Sequence, residues 1–222
     1  MVIKCKKPLD EYDYLVMFDL ASHNTGVCLW NLKANRPEDT FIVVSNKVDG
    51  NFVFDLYQQL ENLFQSIQNK GISLANIFVS KEAMPAQLRG GSSTVQTFIA
   101  LAKAHAILDL YLEQHGIDTY DYVGVYPAST HAYLKKVLGL DSKASVDKKD
   151  IKKYIHDNYG LDTQTFDESD AVFLAQTLIN SKWNKDIEEK IKDIKRHKKT
   201  LKMAKAIQDC DNQISSLQSM LH

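Results

Sequence analysis

The sequence predicts an α/β fold, in which helices flank a mixed five-stranded sheet and a helical extension follows at the C-terminus. Three apolar runs with short connections begin the chain, and this pattern is typical of an antiparallel meander. Two more apolar runs alternate with helical segments, which indicates a mixed sheet carrying helices on its faces. Beyond residue 182 apolar residues recur at heptad spacing, which indicates helices that bury a narrow seam.

The first four strands and the first two helices follow from local apolar patterns. Short runs rich in β-branched and aromatic residues predict the strands, and an apolar stripe at intervals of three and four predicts the first helix, which Gly71 closes. The predicted strands are 14–20, 27–31, 41–45 and 77–80, and the predicted helices are 51–69 and about 93–114.

The second half of the chain holds the fifth strand, 122–126, which stops at Pro127. Helical segments follow at about 129–137, 146–158 and 166–181. In the tail the heptad frame shifts near Thr200, which indicates either a local discontinuity or a hairpin of two helices. The chain therefore divides into a body, residues 1–182, and a helical extension, residues 183–222. The extension either packs against the body or serves in dimerisation or substrate contact.

Composition narrows the class of protein. The hydrophobic fraction of 44% and charged fraction of 25% are ordinary for a globular protein, and no apolar run approaches the ~20 residues of a membrane span. Three distant cysteines argue against a zinc site or a disulfide framework, and we expect a cytoplasmic protein. The net charge is −1, but residues 181–222 hold ten Lys/Arg against six Asp/Glu. A basic tail on an acidic body is compatible with a nucleic-acid partner.

Two acids directly follow apolar strands. Asp19 comes after Val16-Met17-Phe18, where burying an acid costs several kcal/mol unless it is paired or bound to a metal ion. Its alternative is an exposed aspartate at a strand end. Glu82 follows the strand at 77–80 and would be unremarkable alone.

A second pair of acids opens an apolar helix. Asp167 and Asp170 are three residues apart, so both carboxylates lie on one helical face. The alternative is N-terminal capping, which explains Asp167 well and Asp170 less well. Two-metal cleavage of a phosphodiester needs oxygen ligands that converge, and Mg²⁺ prefers carboxylates. The set of four acids therefore predicts a site for divalent metal ions.

Four blocks, taken in order, resemble the RuvC family of Holliday junction resolvases, in the ribonuclease H-like superfamily. They span about residues 15–180. The blocks are Phe18-Asp19-Leu20-Ala21-Ser22-His23-Asn24-Thr25-Gly26, Ile77-Phe78-Val79-Ser80-Lys81-Glu82, Val146-Asp147-Lys148-Lys149-Asp150-Ile151 and Asp167-Glu168-Ser169-Asp170-Ala171. The segment Ala100-Leu101-Ala102-Lys103-Ala104-His105-Ala106 is similar to the central helix of the family, which forms its dimer interface.

The resemblance implies a nuclease domain of ribonuclease H-like fold at residues 1–182. It implies a homodimeric endonuclease that cuts four-way junctions and other branched DNA by paired nicking. Its cofactor would be Mg²⁺, two ions per site, with Mn²⁺ as a substitute. The implied metal ligands are Asp19, Glu82, Asp167 and Asp170, and the implied lysines are Lys148 near the scissile phosphate and Lys135 or Lys136 as the other functional lysine.

The sequence also departs from the family. Leu20-Ala21 replaces the usual Pro-Gly, and Pro85 stands where some bacterial members carry an aromatic wedge, so a strict cleavage sequence is not expected. The added helical tail resembles the bacteriophage branch, whose enzymes debranch DNA before packaging. Such a protein would work in the cytoplasm of a bacterial host.

Other polar residues are candidate DNA contacts. Arg89 precedes a glycine pair, and Ser92 and Ser93 open a helix whose N–H groups suit a phosphate. Lys149 is either a DNA contact or, as for Lys152 and Lys153, part of a solvated face. His23 either contacts DNA and water or is an ordinary loop residue.

Two other functions fit parts of the pattern. A non-catalytic scaffold of the same fold would bind branched DNA without cutting it, although it would have no evident need for all four acids. An actin-like ATPase also places an aspartate at a strand end. That class needs a second comparable domain and more glycine-rich phosphate loops than a 222-residue chain with nine glycines offers.

Overall fold

A computed structural model describes residues 11–21, 23–45, 52–84, 95–119, 124–198 and 204–221. Five strands form one sheet in the order β3-β2-β1-β4-β5. β1 pairs antiparallel with β2 and β2 antiparallel with β3, which confirms the predicted meander, while β4 and β5 extend the sheet in parallel. The strands are β1 (Tyr14–Asp19), β2 (Asn24–Asn31), β3 (Arg36–Val44), β4 (Ile77–Lys81) and β5 (Asp118–Thr119).

Helices cover both faces of the sheet, as the α/β prediction requires. A 3₁₀ turn, Leu74–Asn76, precedes β4, and a π turn, Ile179–Trp183, follows α5. The α-helices are α1 (Phe52–Asn69), α2 (Val95–Gln114), α3 (Pro127–Val137), α4 (Lys148–Tyr159), α5 (Phe166–Leu178), α6 (Asn184–Lys198) and α7 (Ala204–Gln218).

The fifth strand differs from its prediction at 122–126. β5 lies earlier, at Asp118–Thr119, where it pairs with β4, and Val125 forms only an isolated bridge to Glu82. Gly124 has φ +80°, which no extended strand adopts, so regular pairing cannot run through it. Residues 120–123 lie outside the described part of the chain.

Alternating residues of the central strands separate two hydrophobic clusters. Leu15 and Met17 of β1 face the cluster built with α5, while Val16 and Phe18 face the cluster built with α1 and α2. The period of two in a strand therefore determines on which face of the sheet the next side chain lies. Asp19 continues the α5 face.

The C-terminal helices α6 and α7 contact each other and bury their apolar stripes in the α5 cluster. Ile187 and Ile191 of α6 are buried there, as are Ile214 and Leu217 of α7. The frame shift near Thr200 thus separates two helices, and their seam packs against the body.

Helix α2 is long and apolar enough to cross a membrane by length and composition, with mean hydropathy 1.2. That finding differs from the expectation drawn from apolar runs alone. Its inner residues pack with α1 and the sheet, among them Ala104, Leu108 and Leu112. Its outer side leaves Val95, 62% exposed, and Leu110, 50% exposed. The high mean hydropathy of α2 therefore has two sources, a side that faces the core and an exposed side that is also apolar.

Candidate active site

Neighbouring strands place two of the predicted acids at one edge of the sheet. β1 and β4 are parallel, with Phe18 paired to Lys81, and the N–H of Glu82 donates to the Phe18 carbonyl at 2.8 Å. Asp19 and Glu82 therefore stand side by side, one residue beyond that pair. Strand alternation puts both on the α5 face and turns Lys81 to the opposite face, where it pairs with Asp109 of α2.

The backbone beyond β4 is held on its other side by Gly124 and Val125. The Val125 N–H donates to the Lys81 carbonyl at 2.8 Å, and the Ala83 N–H donates to the Val125 carbonyl at 2.7 Å. A Cβ on Gly124 would lie 2.2 Å from the Lys81 carbonyl oxygen, so only glycine permits this approach. The position of Glu82 depends on these contacts.

Helix α5 begins with its own capping box, which leaves the two aspartates available. The Thr165 side chain accepts from the N–H of Glu168, and the Glu168 carboxylate accepts from the N–H of Thr165 at 2.7 Å. Glu168 also accepts from Thr40 of β3 at 3.1 Å. Capping is thus performed by Thr165 and Glu168. The Asp167 carboxylate has no hydrogen bond or ion pair with any residue that the structure describes.

Gly26 brings the start of α5 against the sheet. It is the register partner of Asp19 in β2, and a Cβ placed on it would lie 2.0 Å from the Asp167 carbonyl oxygen. Backbone therefore meets backbone at this point, where any side chain would push α5 outward. This contact brings Asp167 close enough to Asp19 to raise the pKa of the Asp19 carboxyl.

Asp19, Glu82 and Asp170 line one cleft of about 240 Å³ together with Lys148. The Lys148 Nζ lies 3.1 Å from the Asp170 Oδ2. The remaining wall comes from α3, α5 and the start of α4, through Pro127, Thr130, His131, Leu134, Val146, Ile151 and Leu174. Three of the four predicted acids and the predicted lysine therefore share a cleft, while Asp167 lies at its margin.

Burial and mutual repulsion raise the pKa values of the cleft acids. Burial, followed by the charges of Glu82 and Asp170, raises the pKa of Asp19 to about 8. Burial and Asp170 raise the pKa of Glu82 to about 7, against a hydrogen bond from Asp19 that lowers it. Burial also raises the pKa of Asp170, and the ammonium of Lys148 opposes that rise. Lys148 therefore does not offset the burial and mutual repulsion of the three acids.

Among the described residues, no three Asp, Glu, His or Cys side chains lie close enough together to enclose one metal ion. Asp19 and Glu82 are joined by a hydrogen bond, whereas Asp170 is drawn to Lys148. The three acids of the cleft therefore divide into one carboxyl pair, Asp19 with Glu82, and one ion pair, Asp170 with Lys148.

The other predicted DNA-contacting residues lie outside the lining of the cleft. The Lys135 Nζ donates to the Ser142 carbonyl at 2.5 Å and so contacts the segment that connects α3 and α4. Lys136 is exposed. Lys149 is exposed near the start of α4. Arg89, Ser92 and Ser93, like Pro85, fall outside the described residues.

Four further residues were given no firm functional role by the sequence. His131 and Thr130 line the cleft from α3, one helical turn before Leu134. Their spacing from this apolar residue could have indicated that they lie on the same side of the helix. His23 is held away from the cleft lining, since its Nδ1 lies 2.7 Å from the Ser45 carbonyl oxygen. Lys152 lies beside Lys148 at the ring of Phe166.

Solved structures share this arrangement of strands and helices. A structure titled "T. thermophilus RuvC in complex with Holliday junction substrate" matches with a TM-score of 0.50 at 11% identity, covering 74% of this chain and 91% of that one. The fold is that of RuvC. A second, titled "Thermus thermophilus RuvC structure", has a TM-score of 0.49 at 12% identity, covering 74% of this chain and 92% of that one. No protein-family model matches the sequence, and no curated protein matches it. The likeness to RuvC therefore lies in the fold.

Proposed function

We propose that this protein is a metal-dependent endonuclease that resolves Holliday junctions and other branched DNA by paired nicking. The observation that supports it best is the cleft in which Asp19, Glu82 and Asp170 meet beside Lys148. In a sheet of RuvC topology, these acids stand at the ends of two adjacent parallel strands and on the helix that packs across them.

The donor set suits Mg²⁺ or Mn²⁺. Carboxylate oxygens are the ligands that these ions prefer. Burial, and then the charges of neighbouring acids, raises the pKa values of Asp19 and Glu82, and a bound cation would relieve that repulsion. Asp19, Glu82 and Asp170 would hold the ions, with Asp167 at the margin. When bound, two ions would activate a water and stabilise the leaving oxygen of the phosphodiester.

Side chains of the protein supply a positive charge and an apolar wall around the acids. Lys148 pairs with the Asp170 carboxylate, and when DNA binds, the ammonium would pair with a phosphate oxygen instead. Asp170 would then be free to act as a metal ligand. The apolar wall formed by Leu134, Ile151 and Leu174 limits water around the acids and strengthens their charge interactions.

The substrate symmetry of a four-way junction calls for two active sites. We propose a homodimer formed through the outer side of α2, where Val95, Ile99 and Leu110 are exposed apolar residues. Each subunit would nick one strand.

The helical tail and the loss of the aromatic wedge at Pro85 support a bacteriophage enzyme that acts in the host cytoplasm on branched DNA of varied sequence.

Cleavage of a labelled four-way junction tests the proposal. Asp19→Asn and Asp170→Asn should abolish nicking in Mg²⁺ and in Mn²⁺, while both variants still bind the junction in a mobility-shift assay without metal. The matched control is Asp157→Asn, an exposed acid of α4 outside the cleft, which should cut normally. Full cleavage by either cleft variant would refute the site.

A non-catalytic scaffold is the second candidate, and two observations favour it. Asp170 is paired with Lys148, and no three described acids enclose a metal ion. A scaffold would bind junctions with the affinity of an enzyme, yet it would nick neither four-way nor flapped nor forked substrates in Mg²⁺ or Mn²⁺. The same cleavage panel therefore separates the two candidates.

A further inference from the structure

Two lysines of α4 meet at the ring of one exposed phenylalanine. The Lys148 Nζ lies 5.4 Å and the Lys152 Nζ 4.9 Å from the centroid of the Phe166 ring. Both distances are within the range in which the negative face of an aromatic ring attracts a cation. Residues four apart on a helix lie on one side, one turn of about 5.4 Å from each other, so the ring contacts two successive charges of α4.

Each ammonium also has a second contact. Lys148 bonds to Asp170 at 3.1 Å, and Lys152 donates to the Gln164 carbonyl at 2.9 Å. Within the described residues, the ammonium groups of Lys149 and Lys153 have no hydrogen bond or ion pair, and both residues are exposed. Of the four lysines near the start of α4, only the two that contact Phe166 therefore have partners among the described residues.

Phe166 is placed for this contact rather than for the core. Its residue is 41% exposed, and it belongs to neither hydrophobic cluster of the sheet. It directly precedes Asp167, so the ring lies beside the candidate active site. The exposed ring therefore contacts both ammonium groups without being part of either hydrophobic cluster.

We propose that Lys148 and Lys152 bind neighbouring phosphates of the strand to be cut, and that Phe166 positions both ammonium groups for this contact. This inference rests on the proposed function, because the acids beside the lysines define which strand is cut. The ligand is the DNA backbone, so the contact adds affinity without reading sequence. Phe166 is a positioning residue, which acts through the lysines.

Salt-dependent binding tests the role of Lys152. Lys152→Met keeps the length of the side chain and removes its charge, so the slope of log Kd against log salt should fall by about 0.9, as for one lost phosphate contact. Lys153→Met is the matched control on the same helix and should leave the slope unchanged. The measurement uses the full chain and a four-way junction without metal.

Substitution of the ring tests the role of Phe166. Phe166→Leu should weaken junction binding several-fold and reduce the salt slope, whereas Phe166→Tyr, which keeps the ring, should restore both. On a background of Lys148→Met and Lys152→Met, Phe166→Leu should have no further effect on affinity. A further loss on that background would show that the ring contacts DNA itself, which would overturn the positioning role.

The two proposals fail differently. If the wild-type protein binds and nicks junctions but Lys152→Met behaves as Lys153→Met does, the phosphate contact is wrong while the nuclease stands. If the wild-type protein binds junctions without nicking them, the nuclease is wrong. The salt slopes then still decide whether Lys152 contacts a phosphate.

Discussion

Gly26 shows how a single absent methyl group can shape this site. Its Cα lies opposite Asp19 in the ladder, and the space that a Cβ would occupy is filled by the backbone of Asp167. Both neighbours are main chain, so neither can move aside as a flexible side chain would. The distance between the acids of the sheet and those of α5 depends on this contact.

We expect Gly26→Ala to destabilise the protein by about 2 kcal/mol, in the range of overpacked cores, and to reduce cleavage more than junction binding. The physical reason is that α5 must shift and carry Asp167 and Asp170 with it. Urea unfolding and single-turnover cleavage measure the two effects. Gly71→Ala is the control, because φ +82° adds strain there without crowding any atom within 4 Å. Normal cleavage by Gly26→Ala would contradict the account.

Asp19 and Glu82 predict a pH dependence of stability. Their pKa values in the folded protein, about 8 and about 7, stand above the ordinary values of 3.8 and 4.5. The folded state therefore binds more protons than the unfolded state between these limits. Their contribution to stability is full below about pH 4 and is lost as the pH rises through 7 and 8.

Melting temperatures measured without metal should accordingly fall from about pH 5 to about pH 8, and Asp19→Asn should flatten that fall. Mg²⁺ should raise the melting temperature of the wild-type protein most at pH 8, because ligation favours the ionised acids. Parallel pH curves for the wild type and Asp19→Asn would refute the coupling. Asp157→Asn serves as the control, since Asp157 is exposed outside the cleft.

Helix α2 has to satisfy two environments at once. On the side that faces the sheet, Asp109 of α2 forms an ion pair with the buried ammonium of Lys81, one turn beyond His105. Burial, and then Lys81, lowers the pKa of His105 to about 4, so its imidazole is neutral at physiological pH. Toward solvent the helix exposes apolar side chains that a monomer would leave in water. The proposed dimer covers that side.

We expect Ile99→Asp and Leu110→Asp to convert a dimer into monomers, because each would place an unpaired charge within the proposed apolar contact. Val44→Asp, which charges an exposed apolar residue of the edge strand β3, should leave the dimer intact. Light scattering coupled to gel filtration gives the mass. Equal masses for all three variants would count against an interface at α2.

At the scale of the whole molecule, the C-terminal helices α6 and α7 belong to the hydrophobic core that α5 forms with the sheet. Ile187 and Ile191 of α6 and Leu217 of α7 are buried in the same cluster as Leu15 and Phe173. Removing both helices would expose to water the apolar residues of the body that α6 and α7 cover, at a cost of about 25 cal/mol for each Å² of apolar surface.

A truncation ending at Ser181 should therefore lose its cooperative thermal transition or melt well below the full chain. Lys192→Gln with Lys195→Gln, two exposed changes on α6, should leave the transition unchanged. If those changes weaken junction binding, α6 also contacts substrate. A truncated chain that melts with the full chain would show that the extension is dispensable for stability.

Local sequence patterns determined the elements and the acids. Alternating and helical apolar spacing predicted the meander, α1 and the heptad seam, because side-chain periodicity follows directly from backbone geometry. Asp19 and Glu82 could be named because each follows an apolar strand, and Asp167 with Asp170 because they share a helical face. These are properties of neighbours along the chain.

Tertiary structure decided what those acids meet. Parallel pairing of β1 with β4 places Asp19 beside Glu82. Gly26 allows the backbone of α5 to approach the sheet closely, and Lys148 pairs with Asp170. The early position of β5 and the burial of α6 and α7 were likewise beyond local patterns. Such contacts join residues 60 or more positions apart in several cases, as for Phe18 and Lys81. They depend on which faces the whole core leaves uncovered, a property that no single segment of sequence contains.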